Sequence, residues 1–142
     1  MVRTPYHQEQ LTEGLLYQKY EPHIHSFTFS NMKNETIDAA FEVTQKLDQI
    51  YAEKERHIQY LYVLEQVTYS PHVLRRAIES VDSRSESLHE SSAVVADTFL
   101  TKVLETVMFP KLNLHKKQAL SFFSTEAEAF AWFEERRKTI GK

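Results

Sequence analysis

The residues best placed to bind a ligand form two short polar groups, each directly after an apolar run. Tyr69, Ser70 and His72 follow the run IQYLYVLEQV, and Asp97 and Thr98 follow AVVA. If both runs are strands of a parallel sheet, these side chains lie at its carboxyl edge, where open α/β sheets form ligand crevices. A helix that begins there also attracts an anion or a phosphate group. We predict a binding site at these residues; the alternative is that Ser70, Asp97 or Thr98 only caps a helix.

The same segment contains the residue types of a serine hydrolase. Ser70, His72 and a carboxylate such as Glu65 would make a triad. The strained turn that exposes such a serine requires neighbouring glycines. Ser70 instead lies between a tyrosine and a proline, and the only glycines of the chain are Gly14 and Gly141. We therefore predict no catalytic residues, no nucleotide-binding glycine loop and a protein that is not an enzyme.

His23 and His25 have the spacing of metal ligands, because alternate residues of a strand share one face. His57 or His72 is the candidate third ligand, and the chain has no cysteine. Histidine pairs without cysteine or acidic company rarely bind metal. We interpret the pair as histidines of an edge strand and predict neither a metal nor another cofactor. The acidic residues of the first helix are interpreted as a solvated face.

Length and composition indicate one globular domain. The chain has 142 residues, 42% of them hydrophobic, and a net charge of -3. This charge offers no broad basic surface, so we predict no nucleic-acid partner. No run approaches the roughly 20 apolar residues that span a bilayer, and the N-terminus has no secretory signal, so we expect a cytoplasmic protein without a transmembrane segment. Residues 1–14 are predicted as an N-terminal arm and residues 15–142 as the domain.

Hydrophobic periodicity predicts the elements that must position these side chains. A hairpin with its turn at Glu21-Pro22 comes first, followed by a helix that Asn34 or Thr36 caps. The predicted segments are strands 15–22, 23–31, 58–67, 93–96 and 118–123, and helices 34–56, 71–81, 98–108 and 126–138. Residues 82–91 are predicted as a polar loop. The order ββαβαβαβα predicts an α/β fold with a mixed, mostly parallel five-stranded sheet and four helices.

The aromatic end of the chain, FFSTEAEAFAWFEERRK, is predicted to cover the sheet. Thr125 and Glu128 have the spacing of a capping box at the start of the last helix. Trp132 and Phe133 fall on one side of that helix, with Phe130 at its border. We interpret this side as a lid on the core rather than a docking surface.

Three segments in this order resemble the SpoIIAA-like branch of the STAS-type fold, also described as STAS/SEC14-like. They are the strand IQYLYVLEQV before a capped helix, the strand AVVAD, and the ending FFSTEAEAFAWFEE. The resemblance covers roughly residues 15 to 138. It implies a regulatory binding module, which in the wider fold is phosphorylated on a serine of a DSSG-type loop. The corresponding segment VTYSPHVL has no DSSG, and Ser70 is the nearest candidate for modification.

The function that follows is a non-enzymatic regulatory or protein-interaction module that meets a protein partner or self-associates. The alternative, which the likeness to SEC14-type domains implies, is a protein that binds a small lipophilic or anionic ligand. That alternative predicts a pocket lined by apolar residues of the second and third helices.

Overall fold

A single mixed sheet carries helices on both of its faces in the computed structural model, which describes residues 3–140. The strands are β1 His7–Thr12, β2 Leu15–Tyr20, β3 Ile24–Phe29, β4 Ile58–Leu64, β5 Glu90–Val95 and β6 Gln118–Phe123. The helices are α1 Asn34–Lys54, α2 Pro71–Ser83, α3 Thr98–Val103 and α4 Glu126–Ile140. A π-helical turn, Leu104–Met108, and a 3₁₀ turn, Phe109–Lys111, continue α3.

The strands lie in the sheet in the order in which they occur along the chain, β1-β2-β3-β4-β5-β6. β1, β2 and β3 pair antiparallel, and β3 to β6 pair parallel. Right-handed crossovers between consecutive parallel strands place their helices on the same face of a sheet. The α/β class and the mixed sheet are confirmed. The predicted count of five strands is wrong, because the sheet has six.

The additional strand is β1, within residues that we predicted as an arm. Its sequence HQEQLT pairs with β2, and four of its six residues are exposed. Because five of the six residues of β1 are polar and Leu11 is its one hydrophobic residue, the strand has no alternation of hydrophobic residues that sequence analysis could detect. Gly14 follows it, and a Cβ atom there would overlap the side chain of Asn31. The hairpin turn predicted at Glu21-Pro22 is confirmed between β2 and β3.

The start of α1 differs from the prediction. Lys33 occupies the cap position, and its side chain makes no capping hydrogen bond. Asn31 supplies the local polar contacts, because its Oδ1 atom accepts hydrogen bonds from the Lys33 amide and the Thr36 hydroxyl. Asn34 and Thr36 are therefore not the cap; both belong to the first turn of the helix.

Two strand boundaries and the end of the third helix also differ. The strand predicted over residues 58–67 ends at Leu64, and β5 begins at Glu90 rather than at residue 93. The segment 82–91 is therefore only partly a loop. The α-helical geometry of α3 gives way at Leu104, ahead of Pro110, which cannot donate a backbone hydrogen bond.

The last helix covers the face of the sheet opposite α1. Ala129, Phe130 and Phe133 are buried against a group of strand residues, namely Tyr20, Ile24, Leu61, Val63, Ala93 and Val95. Trp132 is partly buried beside Phe123. Thr125 Oγ1 accepts from the Glu128 amide at 3.2 Å and also bonds to its carboxylate, so the predicted cap is present in part. The aromatic side of α4 is a lid.

Candidate functional site

A cavity of about 90 Å³ lies on the other face, between the sheet and helices α2 and α3. Its walls are almost entirely apolar. The residues that define it are Tyr62, Val94 and Leu120 from the sheet, and Ala77, Leu104 and Met108 from the helical layer. The alternative function, binding of a small lipophilic or anionic ligand, predicts a pocket lined by apolar residues of the second and third helices, and the cavity lies at this position.

One part of the cavity wall is polar and belongs to a buried group of charges. Arg84, Glu90, Ser92 and Ser80 contribute to the wall. Arg84 Nη1 donates to Glu90 Oε2 at 2.8 Å, and Arg84 Nη2 donates to Ser80 Oγ at 3.0 Å. The hydroxyl of Ser92 donates to the other oxygen of Glu90. An apolar space therefore borders a set of largely buried hydrogen-bonding groups.

Asp48 completes the group, which we call the Arg84 cluster: Arg84, Asp48, Glu90, Tyr60, Ser80 and Ser92. Arg84 Nε donates to Asp48 Oδ2 at 3.0 Å, and the Tyr60 hydroxyl donates to Asp48 Oδ1 at 2.6 Å. Glu90 is fully buried, and Asp48 is 8% exposed. Two carboxylates thus share one guanidinium in the interior.

Burial dominates the protonation of these carboxyls. It raises the pKa of Glu90 and of Asp48 despite the opposing charge of Arg84. Burial also lowers the pKa of Arg84, but the Glu90 and Asp48 carboxylates outweigh it, and the net pKa is raised. Arg84 therefore stays charged, and each carboxyl holds a proton more readily than it would in water.

Sequence reasoning missed the Arg84 cluster. Asp48 was assigned to a solvated face, although it lies four residues after Thr44, which itself follows Ala40 by four on the buried side of α1. That spacing was the available signal. Arg84 caps the end of α2, and Glu90 opens β5, both within the segment that we predicted as a loop.

Of the residues predicted to bind, Tyr69 lies at the cavity. Its ring lines the wall, and its hydroxyl is buried with no hydrogen-bond partner among residues 3–140. Ser70 caps α2 instead, because its Oγ accepts from the His72 amide at 3.2 Å. The imidazole of His72 contacts Asp38 at 2.6 Å.

The second predicted group lies beyond the cavity wall. Asp97 caps α3 by accepting from the Leu100 amide at 2.7 Å. Thr98 is the first residue of α3 and is exposed. Of the predicted residues, Tyr69 alone lines the cavity, while Ser70 and Asp97 cap helices. The Arg84 cluster lies towards the opposite edge of the sheet, where Glu90 begins β5.

His23 and His25 meet at one tyrosine. His23 Nδ1 and His25 Nε2 lie 3.0 Å and 3.1 Å from the Tyr51 hydroxyl. His25 Nδ1 also bonds to the Tyr17 hydroxyl at 2.6 Å. Burial, with help from the charge of Lys19, lowers the pKa of His25 to about 4. His25 is 4% exposed and β3 lies inside the sheet, so it is an interior residue rather than the partly exposed edge histidine that we predicted.

His57 is a second buried histidine, under α4. Its Nε2 atom lies 2.8 Å from Ser91 Oγ, which accepts from Arg136 Nε at 2.9 Å. Burial, followed by the charge of Arg136, lowers the pKa of His57 to about 4. This imidazole is therefore neutral at pH 7 and belongs to the packing of the lid.

Among residues 3–140, no set of three or more potential metal ligands is close enough to hold an ion. Within the same range, no helix has the length and apolar character that crossing a membrane requires. Comparison of the chain with models of protein families, with curated proteins and with solved structures found no match.

Proposed function

We propose that this protein binds a small lipophilic molecule with one polar group, in the cavity between the sheet and helices α2 and α3. The observation that carries the proposal is an apolar space of about 90 Å³ that ends on the buried Arg84 cluster. Binding sites for small molecules combine these two features, an apolar lining and a few polar groups that fix orientation.

The apolar lining of this partly open space supports a lipophilic occupant. A ligand that fills the space would remove apolar side chains from water, which is favourable by roughly 25 cal/mol per Å² of apolar surface.

Two parts of the wall offer partners to a polar group of the ligand. Arg84 and Ser92 lie near the start of β5, and the Tyr69 hydroxyl, beyond the end of β4, is buried without a partner among the described residues. A hydroxyl or carboxyl group on the ligand would satisfy Tyr69, because a tyrosine hydroxyl both donates and accepts. This requirement favours an alcohol or an acid over a hydrocarbon.

The helical layer gives the cavity room to enlarge. About 90 Å³ is smaller than the roughly 150 Å³ cavity that accommodates benzene. Met108 and Leu104 line the space from the π-helical turn, and methionine side chains adapt readily to a new neighbour. We propose that displacement of this turn admits the ligand.

We propose a binding role rather than a catalytic one. Arg84, Tyr60 and Ser92 hydrogen-bond to the Asp48 and Glu90 carboxyl groups, and this supports a structural role for the two carboxyls. The order of elements from β2 onwards follows the SpoIIAA-like resemblance and supports a regulatory module of that type. In such a module, binding of the ligand would change the interaction with a protein partner. Phe99 on α3, 78% exposed, favours a contact surface next to the cavity.

Native mass spectrometry of freshly purified protein tests the proposal first, with solvent extraction to identify any bound molecule. Thermal unfolding with added 1-octanol or octanoic acid tests it directly, because a ligand of the folded state raises Tm. Ala77→Leu fills the cavity and should abolish that rise, while Ala131→Leu on the exposed side of α4 should retain it. Ala77→Val provides a smaller step if leucine is too large. An empty protein whose Tm responds to neither compound would refute the proposal.

A further inference from the structure

We propose that a second copy of this chain pairs antiparallel with β6, about a two-fold axis at Ser121, and continues the sheet across both copies. This interface lies at the edge of the sheet and shares Leu120 with the wall of the cavity proposed above. It rests on the character of the two sheet edges, on backbone direction, on side-chain complementarity and on charge.

The two edges of the sheet are protected to different degrees. β1 carries His7 and Glu9, and its pairing with β2 shifts register between Gln10 and Thr12. Charges and bulges of this kind prevent a further strand from adding to an edge. β6, with the sequence QALSFF, has no charge, no proline and a continuous register with β5. Of the two edges, only that of β6 is open to pairing.

The backbone of β6 is oriented for such pairing. Lys117 and Phe123 direct their carbonyl oxygens at β5, where they accept from Glu90 and Ala96 at 3.1 Å and 3.3 Å. Because successive residues of a strand alternate in direction, Leu120 and Phe122 direct their N–H and C=O groups away from β5. β6 is the last strand in the order, so the described sheet offers these groups no neighbouring strand.

A two-fold axis at Ser121 places apolar side chains of the two copies opposite each other. Ser121 then lies opposite its own copy, and Leu120 lies opposite Phe122 of the second copy. On the other face, Ala119 lies opposite Phe123. Cross-strand pairs of this kind stabilise antiparallel strands. Phe109 on one face and Trp132 on the other already contact Phe122 and Phe123, which extends the apolar strip.

Charge selects the antiparallel arrangement. Lys116 and Lys117 precede β6, whereas Glu126 and Glu128 follow it at the start of α4, and all four are exposed. Antiparallel pairing brings the lysines of each copy to the glutamates of the other. Parallel pairing would place like charges side by side, which is unfavourable.

Cross-linking through cysteine tests the register, because the chain has no native cysteine. Residues opposite each other in a non-hydrogen-bonded antiparallel pair have Cα atoms about 4.5 Å apart, within the range for a disulfide. Ser121→Cys should therefore form a disulfide-linked dimer in oxidised glutathione, at least roughly tenfold faster than the control Ser87→Cys in an exposed loop. Equal rates for the two variants would overturn the proposal.

Light scattering tests the dimer without a cross-link. The unmodified protein should show the mass of two chains at high concentration. Ser121→Lys places two like charges on the axis and should weaken the dimer by about tenfold or more. Ser121→Thr, a matched control with high strand propensity, should leave it intact. Circular dichroism would confirm that each variant is folded. A monomer at every concentration, or a dimer that Ser121→Lys leaves unchanged, would refute the proposal.

Discussion

At the scale of single residues, Arg84 holds together three parts of the chain that are distant in sequence. Its guanidinium joins Asp48 of α1 and Glu90 of β5 to the end of α2. Burial of two carboxyl groups beside one cation is favourable only while the hydrogen bonds are complete. The cluster therefore defines how α1, α2 and the sheet must sit relative to one another.

Arg84→Met is expected to destabilise the fold by about 3–5 kcal/mol, because it leaves Asp48 and Glu90 buried without their cation. Urea unfolding followed by circular dichroism measures this loss. Arg75→Met, on the exposed side of the same helix, is the matched control and should change stability by less than about 0.5 kcal/mol. Equal losses in the two variants would show that the Arg84 cluster contributes nothing specific.

The cluster also shows why part of the site was not predictable. Arg84 and Asp48 are 36 residues apart, and nothing in the local sequence indicates that they meet. Charged residues are almost always exposed, so a reading from composition assigns them to the surface. Tyr69 was predictable because its position after an apolar strand already placed it at the carboxyl edge of the sheet.

At the scale of elements, the positions at which α2 and α3 begin could be predicted directly from the sequence. Ser70 and Asp97 are predicted caps that the structure confirms, since each accepts a hydrogen bond from a first-turn amide. The π-helical turn after α3 was not predicted. Its apolar residues follow helical spacing, and that pattern cannot distinguish an α-helix from a locally widened one.

Ser70→Ala is expected to cost about 1 kcal/mol, because the His72 amide loses its acceptor. Ser70→Asp keeps an acceptor at the cap and should remain within a few tenths of a kcal/mol of the unmodified protein. Chemical denaturation of both variants measures the difference. If alanine and aspartate behave alike, the cap does not stabilise α2, and the hypothesis that Ser70 is a modification site gains ground.

At the scale of the whole molecule, the periodicity of apolar residues was enough for the α/β class, because parallel strands and their crossover helices are strongly patterned. It was insufficient for β1, in which Leu11 is the one hydrophobic residue and packs against the core. The same limitation applies to the cavity. Apolar residues at helical spacing predict burial against a sheet, but a space left between the layers depends on how side chains of different lengths meet.

His25 and His57 should each reduce the stability of the fold as the pH drops from 7 to 5. The pKa values of His25 and His57 are about 4 in the folded protein, below their ordinary value of 6.5. The unfolded chain therefore binds more protons between those two values, and each histidine lowers the free energy of unfolding by about 2 kcal/mol at pH 5. Asp48 and Glu90 act in the opposite direction, because their raised pKa values favour proton uptake by the fold.

Urea unfolding at pH 7 and pH 5 measures the effect. His57→Gln should reduce the loss by about 2 kcal/mol, whereas His7→Gln at an exposed position of β1 should leave it unchanged. An undiminished loss in His57→Gln would show that His57 does not titrate as the structure requires.

The sequential order of the strands bears on how the chain folds as it is synthesised. Each strand from β2 onwards can pair with the strand that is synthesised just before it. No strand therefore has to be inserted later between two strands that are already paired. The face under α4 is different. Leu61, Val63 and Ala93 remain uncovered until α4, which follows all six strands in the described part of the chain, has been synthesised. Until then, the apolar face of the sheet is exposed on the nascent chain. A chaperone that binds exposed apolar surface would bind most strongly at this stage.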